Sequence, residues 1–549
     1  MSNNNLRSLY NKKLSYHFIS AILLIFTFVN FALTSNHVFL GNGSVFPLHA
    51  LNLIQNGSLD FEVINEMEHN KYLLTFHTPL YTLWLSFFYW IFNLFTDLNY
   101  YSINLATKIA NLVPIILTGL IFSKFLNNLP RILTFSCFIA LPTSFFAYLS
   151  SDMDQVLVPL FLLAAYYCIE KKKNLIYISS FFALAIITKE NTAIVFMTII
   201  LFGQSLLMRN IAFLNACIVV IISLSMALLT YMLLCLYFSL DPYFLFTTGD
   251  QISAGTISSE DRFKKFLSNS FVQGKLLIQS FSPLILLFLP ALFKKDSIKK
   301  AEFKFLFILF FSVFGISAIT GYVNIRYFSS IAPIMLLLAI RTSLFSYEIK
   351  LKHLLVIFII CIAYLLIAED QYMFLSKLSS VSVINLIFII ILVLFFCIAT
   401  YYYGHRSKLN AFIGFSLCSC LLSLNIATKG YQIHYFHGNH DIGEIIKETG
   451  DSYVFSDLPS AELYLRGKVL FMIAGYSHYH NYYGLNNPDK KDMMSEKRKD
   501  YLISKSLELK EFVIWTNKET SYHKIFDLEK YCNSRNYEGY HYYKCNIKI

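Results

Sequence analysis

Long apolar runs, each close to the length that crosses a bilayer, recur along the first 428 residues of the chain. About thirteen such runs can be traced, since a transmembrane helix needs about 20 predominantly apolar residues. The 549 residues are 56% hydrophobic and 14% charged, and they include 53 Phe. A soluble protein cannot bury that much apolar surface. The pattern therefore predicts a polytopic α-helical membrane protein.

Basic residues concentrate in short segments between the apolar runs, and this distribution predicts the orientation of the chain. Cytoplasmic loops carry an excess of Lys and Arg. The rule places the N-terminus, with Arg7 and Lys12, in the cytoplasm and makes Lys171–Lys173 a cytoplasmic helix end. The net charge of +11 therefore requires no nucleic-acid partner. The Lys-, Asn- and Ile-rich composition is typical of an AT-rich genome, and the expected location is a bacterial inner (plasma) membrane.

The apolar run 79–95 is an exception, because a crossing there would reverse the orientation of every later loop. Its Trp84, Trp90 and several Tyr are typical of an interfacial position. We therefore predict that this run lies along the outer leaflet, and that residues 35–98 form one long outer loop with interfacial helices.

Hydrophobicity falls abruptly after Ala427, which divides the chain into a membrane domain, 1–428, and a polar domain, 429–549. Strands are predicted at 453–456, 469–473, 512–516 and 540–545, and helices at 442–449, 460–465 and 521–531. This alternation predicts a small extracytoplasmic α/β domain. Cys532 and Cys545 are the two Cys outside the apolar runs, and on an oxidising side a disulfide between them is expected. Two free thiols are the alternative.

Two acids interrupt the apolar pattern at a predicted helix junction. Asp152 and Asp154 lie between the apolar runs 132–149 and 156–169. A carboxylate at the middle of a bilayer costs roughly 2.5–3.5 kcal/mol on insertion scales, so such acids usually lie at an interface or in a water-filled cavity. Because Lys171–Lys173 mark the cytoplasmic end of the second run, both acids are expected on the outer face. Helix capping alone is the alternative interpretation.

Further acids and two cations on the predicted outer side suit a group-transfer reaction. Transfer to a hydroxyl or amine needs a carboxylate that takes the acceptor's proton, and cations that hold a leaving phosphate. Asp60 and Glu62 lie in the long outer loop, while Lys189 and Arg326 each lie at the outer end of an apolar run. Snorkelling of Lys189 toward lipid headgroups is the alternative.

Five short motifs follow one another in a fixed order along residues 17–340. They are Ala50 to Ser58, His77-Thr78-Pro79-Leu80-Tyr81, Ser151-Asp152-Met153-Asp154, Thr188-Lys189-Glu190-Asn191, and Arg326-Tyr327 followed by Pro333. Each motif alone is weak, but their order and spacing resemble the GT-C superfamily of membrane glycosyltransferases. The likeness is to the glycosyltransferase family 39-like branch, which holds the protein O-mannosyltransferases and the lipid A aminoarabinose transferase.

The resemblance implies an integral-membrane glycosyltransferase that moves a hexosyl or pentosyl group from a polyprenyl-phosphate carrier to an acceptor on the extracytoplasmic face. The acceptor is a protein, a lipid or a glycan. The implied catalytic candidates are Asp152, Asp154, Asp60 and Glu62, and the implied substrate or carrier-phosphate ligands are Lys189, Glu190, Arg326, Tyr327, His77 and Asn42. No cofactor is implied. A divalent metal is left open, because five His (His434, His437, His440, His478 and His480) could form a metal site, although their spacing fits no helix face cleanly.

The chain departs from the family pattern in the first outer loop. Where the family has an acid, this sequence has Asn42, which cannot act as a general base at neutral pH. Three alternatives follow for the general base. Asp60 or Glu62 takes the place of the missing acid, Asp152 and Asp154 act as the base, or the activity has been lost. A lipid-linked-glycan flippase or transporter is the other alternative, although such a protein is expected to bury its charges along a central path.

Overall fold

The computed structural model describes residues 16–32, 38–39, 45–62, 71–72, 79–148, 153–239, 300–320, 325–344, 436–471, 503–516 and 531–546, apart from short gaps inside some of these ranges. Most of the described elements are helices. In chain order they are α1 Tyr16–Val29, α2 Val45–Asn56, α3 Leu80–Asn93, α4 Tyr100–Phe125, α5 Arg131–Ile139, α6 Met153–Glu170, α7 Leu175–Thr188, α8 Glu190–Phe202, α9 Phe213–Phe238, α10 Ala301–Thr320, α11 Ile325–Leu344, α12 Asn439–Thr449 and α13 Pro459–Tyr464.

The strands are short and belong to three sheets. In chain order they are β1 Val38–Phe39, β2 Phe61–Glu62, β3 Lys71–Tyr72, β4 Phe436–His437, β5 Tyr453–Ser456, β6 Val469–Phe471, β7 Glu511–Thr516, β8 Cys532–Tyr537 and β9 Tyr540–Asn546. Strand β1 pairs with β4 and strand β2 with β3, both antiparallel, and the other five strands form one sheet.

Two compact units divide the chain. The first, which we call the helical unit, comprises Met1–Ser35, Lys108–Tyr231 and Ile257–Tyr431. The second, the mixed unit, comprises Asn36–Thr107, Met232–Thr256 and Gln432–Ile549. The predicted boundary at residue 428 concerns hydropathy and stays a prediction.

Within the described part of the chain, three helices are long and apolar enough to cross a membrane: Tyr101–Phe125, Glu190–Leu207 and Phe213–Phe238. Shorter apolar helices accompany them at Tyr16–Val29, Val156–Glu170, Leu175–Thr188 and Ser329–Thr342. Helix α3 has 14 residues, which span about 21 Å at the α-helical rise of about 1.5 Å per residue. The prediction that run 79–95 does not cross stays a prediction.

In the helical unit, α6 packs along both α7 and α11, and α11 also packs against α10. Helices α6 and α7 form a hairpin whose connection contains Lys171–Lys173. Lys172 has a φ of 49° and the N–H of Lys173 donates to the carbonyl of Cys168 at 2.9 Å, so a Schellman-type motif ends α6. After α8 comes a π-helical turn, Gly203–Leu207. A side chain at Gly203 would overlap the ring of Phe305 on α10, so the close approach of these elements requires glycine.

The mixed unit contains a five-stranded sheet with strand order β6-β5-β7-β9-β8. Strands β6, β5 and β7 are parallel, and β7, β9 and β8 are antiparallel. Trp515 and Tyr542 are buried in this sheet. Helix α2 packs against α3 and α13, and the hydroxyl of Tyr464 on α13 lies 3.1 Å from Oδ1 of Asn104. The first outer loop and the C-terminal region therefore belong to one compact unit.

The strand predictions at 453–456 and 512–516 are confirmed within one residue, and the predicted helix at 442–449 begins three residues earlier. Strand β8 was not predicted, and the predicted helix 521–531 lies almost wholly outside the described residues. The expectation of one long helix over 132–149 is wrong, because α5 ends at Ile139. Pro142 follows shortly, and the residue before a proline avoids the α conformation.

Candidate functional site

A cluster of ionic contacts ties four helices together at one end of the helical unit. The guanidinium of Arg341 on α11 donates to both carboxylate oxygens of Glu170 on α6, at 2.6 and 3.0 Å. It also donates to the carbonyl of Phe125, the last residue of α4, at 3.3 Å. Glu302 in the first turn of α10 lies 3.7 Å away. We call this group the Arg341 cluster. Because it joins α4, α6 and α11 at one point, distances along these three helices can be measured from it.

The surroundings of the Arg341 cluster are basic. The Nζ atoms of Lys124 and Lys171 both lie 5.9 Å from the ring centroid of Tyr167. Lys172 and Lys173 follow in the same connection and are exposed. These are the lysines whose position predicts a cytoplasmic helix end, so the Arg341 cluster lies at the predicted inner end of the unit.

Predicted site residues occur at one level on three helices, far from the Arg341 cluster. Asp154 lies 16 positions before Glu170 on α6, and Arg326 lies 15 positions before Arg341 on α11. At about 1.5 Å per residue, these separations are about 24 and 22 Å. On α7, which runs back from the lysine connection, Lys189 follows after a helix of 14 residues, or about 21 Å. The fold therefore brings three charged residues, distant in sequence, to the same end of the unit.

Lys189 is the single residue that separates α7 from α8. Its backbone is extended, with φ −156° and ψ 98°. Its N–H donates to the carbonyl of Ala185 at 2.9 Å, and its own carbonyl accepts from the N–H of Ala193 at 3.0 Å. The side chain is 8% exposed and engaged with its surroundings, so free snorkelling into water does not describe it. Glu190 follows in the first turn of α8, where a negative charge is favoured by the helix dipole.

Sequence analysis missed a further cation at this level. Lys108 lies on α4, 17 positions before Phe125, or about 26 Å from the Arg341 cluster. Its side chain is 0% exposed within a helix that is apolar enough to cross a membrane. The available signal was a lysine about one third of the way into an apolar run, because ionisable residues inside such runs are rare and face the bundle interior.

Some of the remaining predicted residues lie outside the part of the chain that the structure describes, and the others lie within it. Outside it are Asp152, Asp60, His77 and Asn42. Glu62 is in β2, in register with Lys71 of β3, and Tyr327 is in the first turn of α11. Cys532 and Cys545 are opposite one another on β8 and β9, and the structure joins them by a disulfide with a Cα–Cα distance of 4.0 Å.

The mixed unit holds a buried histidine that the motif analysis did not single out. Nδ1 of His49 on α2 lies 2.5 Å from the carbonyl of Leu59, and the ring is 1% exposed. Burial lowers the pKa of His49 to about 4, and the backbone hydrogen bond offsets only part of this shift. The ring is therefore neutral at pH 7 and donates through Nδ1, which fits a structural role.

The far end of the helical unit thus holds an acid at the start of α6 and basic residues at the ends of α7 and α11. Their roles in proton transfer and anion binding stay predictions. Among the described residues, no group of three His, Cys, Asp or Glu is arranged to hold a metal ion.

The described helices and their topology belong to a polytopic membrane protein with the GT-C fold. One solved structure to which the chain is similar is the crystal structure of ArnT from Cupriavidus metallidurans in the apo state. ArnT is the lipid A aminoarabinose transferase, a member of the GT-C superfamily. The TM-score is 0.63 at 13% sequence identity, and the match covers 97% of this chain and 98% of ArnT. The predicted structural resemblance is thus confirmed. No family model and no curated protein matches the chain.

Proposed function

We propose that this protein is an integral-membrane glycosyltransferase that moves a sugar from a polyprenyl-phosphate carrier to an acceptor on the extracytoplasmic face. The observation that carries the proposal is the common level of Asp154, Lys189 and Arg326 on three helices of one unit. The similarity of fold to ArnT over nearly the whole chain supports the same class of reaction.

The depth of the charged level supports chemistry at a membrane surface. It lies about 21 to 26 Å from the basic Arg341 cluster, measured along the helices. A hydrocarbon core is about 30 Å thick, so the level is close to the opposite interface if the Arg341 cluster is at the inner one. A carrier whose prenyl chain stays in the bilayer can present its phosphate there.

The reaction assigned to this site has three parts. The hydroxyl or amine of the acceptor attacks the anomeric carbon of the sugar, and the bond from that carbon to the phosphate oxygen breaks. The carrier phosphate leaves with the bonding electrons, and Lys189 and Arg326 stabilise its charge. The acceptor proton passes to a carboxylate, for which Asp152 and Asp154 are the candidates. Asp60 and Glu62 are the alternatives, since Asn42 cannot accept the proton.

The test is release of free polyprenyl phosphate from the full-length protein, purified in detergent and incubated with polyprenyl-phosphate sugars and a membrane extract as acceptor. We expect Asp152→Asn or Asp154→Asn to lower the rate by roughly 10²–10⁴-fold. The exposed Glu444 on α12 provides the matched control, Glu444→Gln, which should leave the rate unchanged.

Three outcomes separate the proposal from its alternatives. Full activity in both single Asp variants and in the double variant removes these residues from the mechanism. Movement of the lipid-linked sugar across vesicles without release of the carrier indicates a flippase or transporter. Activity that appears only after Asn42→Asp indicates an enzyme that has lost its base.

A further inference from the structure

Two exposed lysines flank one aromatic ring beside the Arg341 cluster. Lys124 is the penultimate residue of α4, and Lys171 directly follows the last residue of α6. The Nζ atoms of both lie 5.9 Å from the ring centroid of Tyr167. Cations within about 6 Å of an aromatic ring are attracted by its quadrupole. The ring therefore gathers ammonium groups from the ends of two different helices.

Aromatic packing holds the Tyr167 ring in place. It meets the ring of Phe125 edge-on, with centroids 5.3 Å apart and an interplanar angle of 90°. Phe125 is buried, and the guanidinium carbon of Arg341 lies 5.4 Å from its ring centroid. Tyr167 itself is half-buried, so part of its ring is accessible beside the two exposed lysines. The site thus has a packed aromatic base and two cations at its surface.

The positive charge of the two lysines is not neutralised locally. Glu170, the neighbour of Lys171 in sequence, accepts two hydrogen bonds from Arg341, at 2.6 and 3.0 Å. Within the described part of the chain, the salt bridges at this end of the unit join Arg341 to its two glutamates. Lys172 and Lys173 are exposed in the same connection and add to the positive charge. The surface around Tyr167 is therefore suited to an external anion.

The two lysines lie at the level where a lipid headgroup is expected. Tyr101–Phe125 is long and apolar enough to cross a membrane, and Lys124 is near its end. Lysine at the end of a span extends its ammonium toward the headgroups, and Tyr is enriched at the same level. Clusters of cations at the cytoplasmic end of a span attract anionic phospholipids. Charge, depth and the aromatic base thus match a lipid with a negatively charged headgroup.

We propose that Lys124, Tyr167 and Lys171 form a binding site for the headgroup of an anionic phospholipid of the inner leaflet. The two ammonium groups donate to the phosphodiester oxygens, since lysine is a point charge on a flexible stem that can adjust to a phosphate. The Tyr167 ring packs against the glycerol part of the lipid. A lipid held there joins the ends of α4 and α6 and so stabilises the same end of the unit as the Arg341 cluster.

The first test is native mass spectrometry of the full-length protein in detergent, titrated with dioleoyl phosphatidylglycerol or with zwitterionic dioleoyl phosphatidylcholine. We expect the wild type to retain phosphatidylglycerol preferentially. Lys124→Gln and Lys171→Gln should each weaken its binding about fivefold, and the double variant about 25-fold, because each cation near the headgroups contributes separately. Equal retention of the two lipids by the wild type overturns the site.

Matched variants separate a defined site from diffuse charge. Lys304 is exposed in the first turns of α10, at the same end of the unit, so Lys304→Gln removes one cation outside the site and should leave binding unchanged. A loss as large as that in Lys171→Gln would show diffuse attraction and overturn the site. Tyr167→Phe keeps the ring and should retain binding, whereas Tyr167→Leu should weaken it severalfold. Wild-type binding in Tyr167→Leu overturns the role of the ring.

The second test is thermal unfolding in the same two lipids, and neither test depends on the proposed activity. Phosphatidylglycerol should raise the melting temperature of the wild type by several degrees over phosphatidylcholine, because a ligand of the folded state stabilises it. The double variant Lys124→Gln/Lys171→Gln should match the wild type in phosphatidylcholine, since both lysines are exposed, and should gain little from phosphatidylglycerol. Equal gains in the two proteins overturn the inference. So does equal protection by inorganic phosphate, which would indicate a site for soluble anions.

Discussion

The Arg341 cluster yields a graded prediction, because its acids differ in distance and exposure. Glu170 forms two short bonds with the guanidinium, and its side chain is 14% exposed. Glu302 is 3.7 Å away and 30% exposed. Breaking a buried pair costs about 3–5 kcal/mol, whereas an exposed pair contributes about 0.2–1 kcal/mol. Since Arg341 itself is 18% exposed, we expect Arg341→Met to cost about 2–3 kcal/mol.

The remaining variants should follow in a fixed order. Glu170→Gln should cost about 1–2 kcal/mol, since Arg341 keeps Glu302 and the carbonyl of Phe125 as partners. Glu302→Gln should cost less than about 1 kcal/mol. Arg341→Lys should fall between Arg341→Met and the wild type, because lysine keeps the charge and loses the two-pronged geometry.

The assay is thermal unfolding of the purified protein in detergent, followed by intrinsic fluorescence, with all variants at one pH and ionic strength. Lys304→Met, an exposed lysine on α10, is the control for loss of a basic side chain near the cluster. Two results would refute the reasoning. One is a larger loss in Glu302→Gln than in Glu170→Gln, and the other is an Arg341→Lys variant as stable as the wild type.

Two further predictions concern the mixed unit. Burial holds the pKa of His49 near 4 in the folded protein, whereas the unfolded chain gains a proton below about pH 6.5. Because only the unfolded state is protonated between these two pH values, stability should fall by up to about 3 kcal/mol as the pH is lowered from about 6.5 to about 4. The melting temperature should decline less between pH 7 and 4.5 in His49→Gln, and equal slopes would contradict this. Cys532 and Cys545 should appear as one linked peptide in non-reduced digests of protein from its native membrane, and reduction should remove about 3 kcal/mol of stability through loop-closure entropy. Two free thiols would also argue against an extracytoplasmic position for this unit.

Much of the architecture could be predicted from the sequence because its causes are local. Apolar runs such as 174–188 become helices, here Leu175–Thr188, since every backbone group in a bilayer needs an internal hydrogen bond. Likewise, alternation and β-branched or aromatic residues led to strands at 453–456 and 512–516. The break of the 132–149 run ahead of Pro142 has a local cause as well, although the apolar pattern predicts one continuous helix there.

The sequence predicted several members of the candidate site and the side of the membrane on which they lie, but not their common depth. Order and spacing along the chain singled out Asp154, Lys189 and Arg326, and the distribution of basic residues placed them on the outer side. Depth follows from the packing of α6 along α7 and α11 and from the bonds of Arg341. Arg341 bonds to two residues that are 171 and 216 positions away from it in the sequence. Such long-range contacts depend on how whole helix faces fit together, so no local pattern specifies them.

What the sequence by itself determined is the helical membrane class, the polar C-terminal region and the acids and cations at helix ends, since all of these follow from composition and short-range periodicity. Only the tertiary structure decided that the side chain of Lys108 is completely buried. A lysine inside an apolar run is equally compatible with several environments, and its burial results from three-dimensional packing. The same holds for the union of residues 36–107 with the C-terminal region, where β1 pairs with β4 across nearly 400 positions of sequence.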